Sequence, residues 1–206
     1  VAPWIKDFLK KEVGVDVMGV VTNGTNIKDF EVLNKQYNDL PVISMIYSTH
    51  PAKGMPDGFA VLEEIKKRHP KVKVILFGFT KPPNLNFEAE FHHRPVKEKL
   101  RAIYAGTDIF LWPSLQEGSG NPPREAMLAR CAVVATNVGC IPICTIPGET
   151  TLVVEPGDVQ GMISAISGLI NNPQKIKRIG LRGQEHIRQF TWDNSTSQLL
   201  AILNNS

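Results

Sequence analysis

The chain has 206 residues, 42% of them hydrophobic and 21% charged, with a formal net charge of +3. This is ordinary globular composition, long enough for one well-buried domain. The positive excess is small and scattered, its densest run being Lys66-Lys67-Arg68. It suits an anionic ligand, reads otherwise as solvated helix face, and excludes nucleic acid as an expected partner.

The opening, Trp4 to Lys11, has helical amphipathic spacing, and Val17 to Val21 reads as a strand, followed by a turn signal at Asn23-Gly24. Residues 1–24 read as a linker and the trailing edge of an N-terminal domain, and residues 25–206 as a ligand-binding domain. Pro41 to Tyr47 reads as a buried strand, Ser48 to Asp57 as a loop, and about Gly58 to His69 as a helix with Phe59, Leu62 and Ile65 on one face. Val72 to Phe77 is the second expected strand of this series and Thr80 to Asn86 a Pro-rich loop. A helix over Lys97–Ala105, a strand over Asp108–Trp112 and a short helix over Pro122–Arg130 follow. Ala132–Ala135 and Thr151–Val154 complete five expected strands. Asp158 is suited to cap a helix reaching Ile170, Pro173 to open one reaching about Gln189, and Asp193 to begin a last one through Leu203. Strands alternating with helices predict an α/β fold: a Rossmann-like parallel sheet flanked by helices.

Cys131, Cys140 and Cys144 are too few and odd in number for a disulfide framework. Neither a C-x₂-C pair nor a nearby His accompanies them, so no metal site is expected and they read as buried thiols in a reducing compartment. No apolar run is long enough to span a bilayer and the first residues lack signal-peptide character. The expected location is cytoplasmic, with peripheral membrane association left open.

Ligands of such a sheet bind beyond the carboxyl ends of its strands, which directs attention to the loops Ser48–Asp57, Gly78–Asn86, Pro113–Asn121 and Thr136–Ile141. The richest segment is Pro113-Ser114-Leu115-Gln116-Glu117-Gly118-Ser119-Gly120-Asn121-Pro122-Pro123-Arg124-Glu125. Gly118 and Gly120 let a ligand approach main-chain amides. Asn121 is placed to cap the following helix, and Pro122 suits its first turn. A glycine loop running into a helix start is an anion site. Glu117 and Glu125 flank it, and carboxylates there suit sugar or ribose hydroxyls. The competing reading is a capped helix with two solvated glutamates. A dinucleotide fingerprint is not met, because Pro123 stands at the third glycine position and the segment lies far from the first strand. Lys53, in His50-Pro51-Ala52-Lys53-Gly54, can neutralise a diphosphate or be a surface lysine. His50, His92 and His93 read as loop residues without metal spacing, and Arg94-Pro95 as a backbone edge that a base can meet.

At these residues the chain resembles the retaining GT-B glycosyltransferases of family 4, in the group 1 glycosyl transferase domain. Glu117 and Glu125 have that family's spacing of two glutamates with seven residues between them. Pro113-Ser114, Glu117-Gly118, Gly120, Pro123, Glu125-Ala126-Met127, Val133-Val134-Ala135-Thr136 and Val138-Gly139 stand in its pattern. So do Asn23-Gly24, Lys53-Gly54, Gly148-Glu149-Thr150, Pro156-Gly157-Asp158 and Phe190-Thr191-Trp192. The likeness runs over about residues 15–203. It implies one half of a GT-B fold, the donor-binding half of a hexosyltransferase that moves a sugar from a nucleotide-diphosphate sugar with retention. The acceptor domain lies outside this chain, so the isolated domain is expected to be inactive. It implies Glu117 and Lys53 as catalytic residues and Gly118, Ser119, Gly120, Asn121 and Glu125 as donor-binding residues, with Ser48 at a donor-binding position of the pattern; Arg94, read from its own loop, is a further donor-binding candidate. No cofactor or metal is implied. The chain departs from the pattern at Ser48, where the family often has arginine, and at Ser119, Cys140 and Ile143, where phenylalanine, glycine and glutamate are common. The Ser48 departure leaves a second expectation, a nucleotide-sugar-binding or regulatory module without transfer activity.

Overall fold

The computed structural model describes residues 3–82 and 84–204. Val1, Ala2, Pro83, Asn205 and Ser206, which fall within the expected linker, Pro-rich loop and C-terminal end, lie outside the described residues. The strands are β1 (Val42–Tyr47), β2 (Lys73–Gly78), β3 (Glu90–His93), β4 (Ile109–Trp112), β5 (Ala132–Thr136) and β6 (Leu152–Val154). The helices are α1 (Pro3–Phe8), α2 (Ile27–Phe30), α3 (Met55–Arg68), α4 (Lys97–Gly106), α5 (Asn121–Leu128), α6 (Ile141–Cys144), α7 (Val159–Ile170), α8 (Pro173–Ile187) and α9 (Trp192–Asn204).

The strands pair in the order β3-β2-β1-β4-β5-β6, and each pairing is parallel. A parallel sheet is covered on both faces, so its inner strands read as continuous apolar runs; Val42-Ile43-Ser44-Met45 in β1 and all of β4 and β5 are buried. Alternate side chains serve opposite faces. Ile43, Met45, Leu111 and Val134 pack with Val61, Leu62 and Ile65 of α3 and Ile163 and Ile166 of α7. Phe77, Phe110, Trp112 and Val133 pack on the other face with Ile103 and Tyr104 of α4 and Met127 and Leu128 of α5. Each aliphatic side chain buried this way stabilises the fold by about 1.5–3 kcal/mol. The strand order reverses between β1 and β4, and at such a reversal a crevice opens beyond the carboxyl ends of the two strands.

The sheet is the Rossmann-like parallel sheet expected, with local differences. A sixth strand, β3, was not anticipated; it places His92 and His93 on the sheet edge rather than in a loop. Only Phe91 and His92 of this strand are half-buried, so its sequence lacks an apolar run. Val17–Val21 forms no strand and instead runs along α9, where a Cβ on Gly19 would lie 2.4 Å from Ile202. The expected turn at Asn23-Gly24 does not form. Gly24 passes against the backbone of Trp192, and Thr25 N donates to Phe190 O (2.8 Å). Helix α3 starts at Met55, earlier than expected, because Gly54 (φ +62°) turns the chain and Pro56 fits the first turn.

Candidate functional site

The crevice between β1 and β4 is built from the two loops that leave them. After β1, Pro51–Lys53 makes a single tight turn, His50 Nδ1 accepts from Ala52 N (3.2 Å), and Gly54 follows in the left-handed region. A Cβ on Gly54 would meet Pro113 O at 2.0 Å, so only glycine allows this approach to the loop after β4. The two loops are stitched directly: Leu115 N and Gln116 N both donate to Ala52 O (2.7 and 3.2 Å).

That stitching brings Lys53 and Glu117 together across 64 residues of sequence. Lys53 Nζ lies 2.6 Å from Glu117 Oε1, and the same oxygen accepts from Ser114 Oγ (2.8 Å). The ammonium also sits 5.2 Å above the centre of the buried Trp112 ring, a cation–π contact. The carboxylate is 9% exposed and the lysine side chain 29%, so the pair meets solvent mainly through the lysine.

The glycine loop is held by its carbonyls. Ser119 O accepts from Cys140 N (2.6 Å), Gly120 O from Cys140 Sγ (3.1 Å) and Glu117 O from Trp4 Nε1 of α1 (2.8 Å). The loop after β5 makes this possible through Gly139 (φ +63°), where a Cβ would lie 2.6 Å from Glu117 Cβ and 2.8 Å from Ser119 O. Among the described residues the amides of Gly118, Ser119, Gly120 and Asn121 have no acceptor. With its carbonyls occupied, the loop offers free N–H groups at the start of α5, where the helix dipole is positive. Asn121 is not the capping residue expected. Gly120 (φ +88°) caps α5 and Asn121 is its first residue, with its side chain accepting from Arg124 instead.

Glu125 lies one turn into α5. Its Oε2 accepts from Tyr104 OH of α4 (3.0 Å). Burial holds the Glu125 carboxyl above its ordinary range, against the opposing pull of the Tyr104 hydrogen bond and of Arg124. The Tyr104 phenol is itself pushed well above 10 by burial and by the neighbouring carboxylate. Cys140 and Cys144 interact through their thiols, which lowers Cys140 and raises Cys144. All three cysteines are free and buried.

Ser48 stands just past β1, half-buried, and its Oγ accepts from His50 N (3.2 Å). Arg94 follows β3, two strands away from β1. It is exposed, with φ +45°, and its Nε donates to Phe79 O (3.4 Å). The structure therefore gathers Lys53, Glu117, Gly118, Ser119, Gly120, Asn121 and Glu125 at the β1–β4 crevice, with Ser48 at its rim, and leaves Arg94 at the sheet edge. Sequence reasoning missed Tyr104, Ser114 and Trp112 as partners of these residues; the segment itself contained Ser114, three residues before Glu117. A cleft of about 460 Å³ opens beside Glu117, lined by Trp4, Leu115, Val138, Gly139 and Pro142 among others. A larger one, about 610 Å³, lies at the opposite strand ends around Lys66, Lys73 and Glu90. There Lys73 and Glu90 neutralise each other at 2.5 Å, whereas the smaller cleft is lined by Glu117, so the chemistry favours the smaller cleft.

An open parallel sheet with a glycine loop, a helix start and paired polar groups at its reversal point defines an α/β ligand-binding domain of Rossmann-like type. The sequence pattern of the family Glycosyl transferases group 1 matches residues 41–172, and the chain belongs to that family. It is 27% identical over 182 residues to the D-inositol 3-phosphate glycosyltransferase of Corynebacterium glutamicum, covering 80% of this chain and 43% of that protein. Sucrose-phosphate synthase from Thermosynechococcus elongatus superposes with a TM-score of 0.83 at 23% identity, over 100% of this chain and 57% of that one. Anabaena HepE, solved in complex with UDP-glucose, superposes with a TM-score of 0.74 at 20% identity, over 91% of this chain and 57% of its own. The chain thus spans about half the length of these relatives, and its fold is that of one half of a GT-B glycosyltransferase. No helix among the described residues is long and apolar enough to cross a membrane.

Proposed function

We propose that this chain is the donor-binding half of a retaining glycosyltransferase that moves a hexosyl group from a nucleotide-diphosphate sugar. The observation that carries this reading is the convergence of Lys53 and Glu117 beside the unpaired amides of the glycine loop. An incoming diphosphate competes for Lys53. Once the ammonium turns to phosphate, Glu117 is released to accept hydrogen bonds from sugar hydroxyls, with Ser114 still holding one of its oxygens. The amides of Ser119, Gly120 and Asn121 and the Lys53 charge stabilise the diphosphate as it leaves, which is electrostatic catalysis by preorganised donors; this division of labour calls on no metal or cofactor. Glu125 is the acceptor for ribose hydroxyls. Residues 1–24 serve as the linker and trailing edge of an acceptor domain, and turnover requires that domain. The free thiols fit a reducing, cytoplasmic setting.

Calorimetric titration of the chain with UDP, GDP and their sugars, with and without EDTA, tests this. Binding of one diphosphate series, unchanged by EDTA, supports a metal-free donor site and names the base. Absence of binding across both series counts against the donor role. Binding without transfer after the chain is joined to its acceptor domain identifies the regulatory-module reading instead.

A further inference from the structure

Arg124 is the fourth residue of α5 and has no exposed surface. Its guanidinium is surrounded by neutral acceptors: one terminal nitrogen donates to Asn23 O, and the other to Asn121 Oδ1 (2.7 Å) and Ser119 Oγ (3.4 Å). Its Nε is buried with no acceptor. Among the described residues no carboxylate lies within ion-pair distance of it. A buried charge without a counter-charge costs several kcal/mol, and arginine cannot shed its proton to escape that cost. The cost is tolerable in a fold where an anion arrives at the same place. The two side chains Arg124 holds are those on either side of Gly120, in the loop whose amides face outward at the start of α5.

We propose that Arg124 is a positioning residue for the donor diphosphate: it clamps Ser119 and Asn121 so that the loop amides stay aimed at the phosphates, and it sets a buried positive charge behind them. The proposal rests on the donor-site reading above and adds to it a residue that never touches the ligand. The field of this guanidinium already reaches neighbouring groups, since it pulls the Glu125 carboxyl and the Cys140 thiol downward. Its third contact, to the Asn23 carbonyl, fastens the segment before the sheet to the same loop.

The experiment titrates wild type, Arg124→Met, Arg124→Lys and the double variant Ser119→Ala/Asn121→Ala with UDP, GDP, uridine, guanosine and inorganic pyrophosphate, at two salt concentrations. Thermal unfolding is followed in parallel. The expected result is a loss of about 10–100-fold in diphosphate and pyrophosphate affinity for Arg124→Met, the size of a hydrogen-bonded charge contribution. Nucleoside affinity should stay within about twofold, and the salt dependence of diphosphate binding should flatten. Arg124→Lys should recover part of the loss by restoring charge without the planar fork. The double variant, which keeps the Arg124 charge but removes its hold on the loop, should lose diphosphate affinity and unfold at a somewhat lower temperature in one cooperative transition, which keeps the test valid if Arg124→Met does not fold. Unchanged diphosphate binding in Arg124→Met, or in the double variant, overturns the proposal alone. Equal losses for nucleoside and diphosphate reduce Arg124 to a structural residue and also overturn it. A wild type that binds neither diphosphate nor pyrophosphate overturns both this proposal and the donor-site reading.

Discussion

The mouth of the glycine loop and the helix α5 each hold a glutamate, eight positions apart, in opposite surroundings. Glu117 is met by a lysine at 2.6 Å and by a serine hydroxyl. Glu125 is met by a tyrosine hydroxyl inside a desolvated pocket that holds its carboxyl above the ordinary range. The first carboxylate is held by a lysine partner that a phosphate can compete for. The second is held by a partner that stays, because Tyr104 is packed between Phe30, Phe77 and Phe110. Spacing alone makes the two glutamates look equivalent; their neighbours from other parts of the chain separate them into an exchangeable pair and a fixed one.

Breaking the exchangeable pair has the largest expected effect. Lys53→Ala should weaken UDP or GDP by about 10–100-fold, the value of a charge-assisted contact to phosphate, and leave the nucleoside nearly unaffected. Equal loss for both would remove the diphosphate role of Lys53. In the fixed pair, Tyr104→Phe should cost about 1–3 kcal/mol of stability by leaving a desolvated carboxylate without its donor, measured as a lower midpoint in urea unfolding. An unchanged midpoint would show that the hydroxyl is replaced by water.

The pH dependence sharpens the contrast further. Because the folded Glu125 pKa is raised, the folded state keeps its proton where the unfolded state has lost it. This group's contribution to stability is therefore intact below the ordinary carboxylate pKa. It falls as pH rises from there to the folded value. Glu125→Gln should abolish that decline while retaining an acceptor for Tyr104; parallel stability-versus-pH curves for wild type and variant would disprove it. The smallest effect is expected at Ser114→Ala, about 0.5–1.5 kcal/mol from one hydrogen bond, read by the same unfolding measurement, with nucleoside binding unchanged.

The sequence makes the central strands legible because parallel strands buried on both faces are mostly apolar, as in Val42–Tyr47 and Ala132–Thr136, where Ser44 and Thr136 are the polar exceptions. It misleads at Val17–Val21, which has the strand composition but runs along α9 outside the sheet. It hides β3, where Glu90-Phe91-His92-His93 belongs to an edge and is only partly covered. The glycine loop and its two glutamates are legible as a local pattern. The Lys53–Glu117 contact is not, because it depends on the strand order that makes β1 and β4 neighbours. Tyr104 and Arg124 are missed for a related reason. Tyr104 comes from another helix and reads only as an inward-facing core residue. Arg124, a guanidinium after two prolines in a polar segment, gives no sign that it is fully enclosed.

Gly139 carries a consequence for the speed of binding. The loop after β5 rests within van der Waals reach of Glu117 and Ser119, with its own Cys140 amide and thiol fastened to the glycine-loop carbonyls. The proposed anion socket is thus braced by contacts within the chain, and the proposed exchange asks only for the swing of one lysine side chain. Mixing with a diphosphate should give a single relaxation whose rate climbs in proportion to ligand concentration, without the plateau that a slow rearrangement imposes.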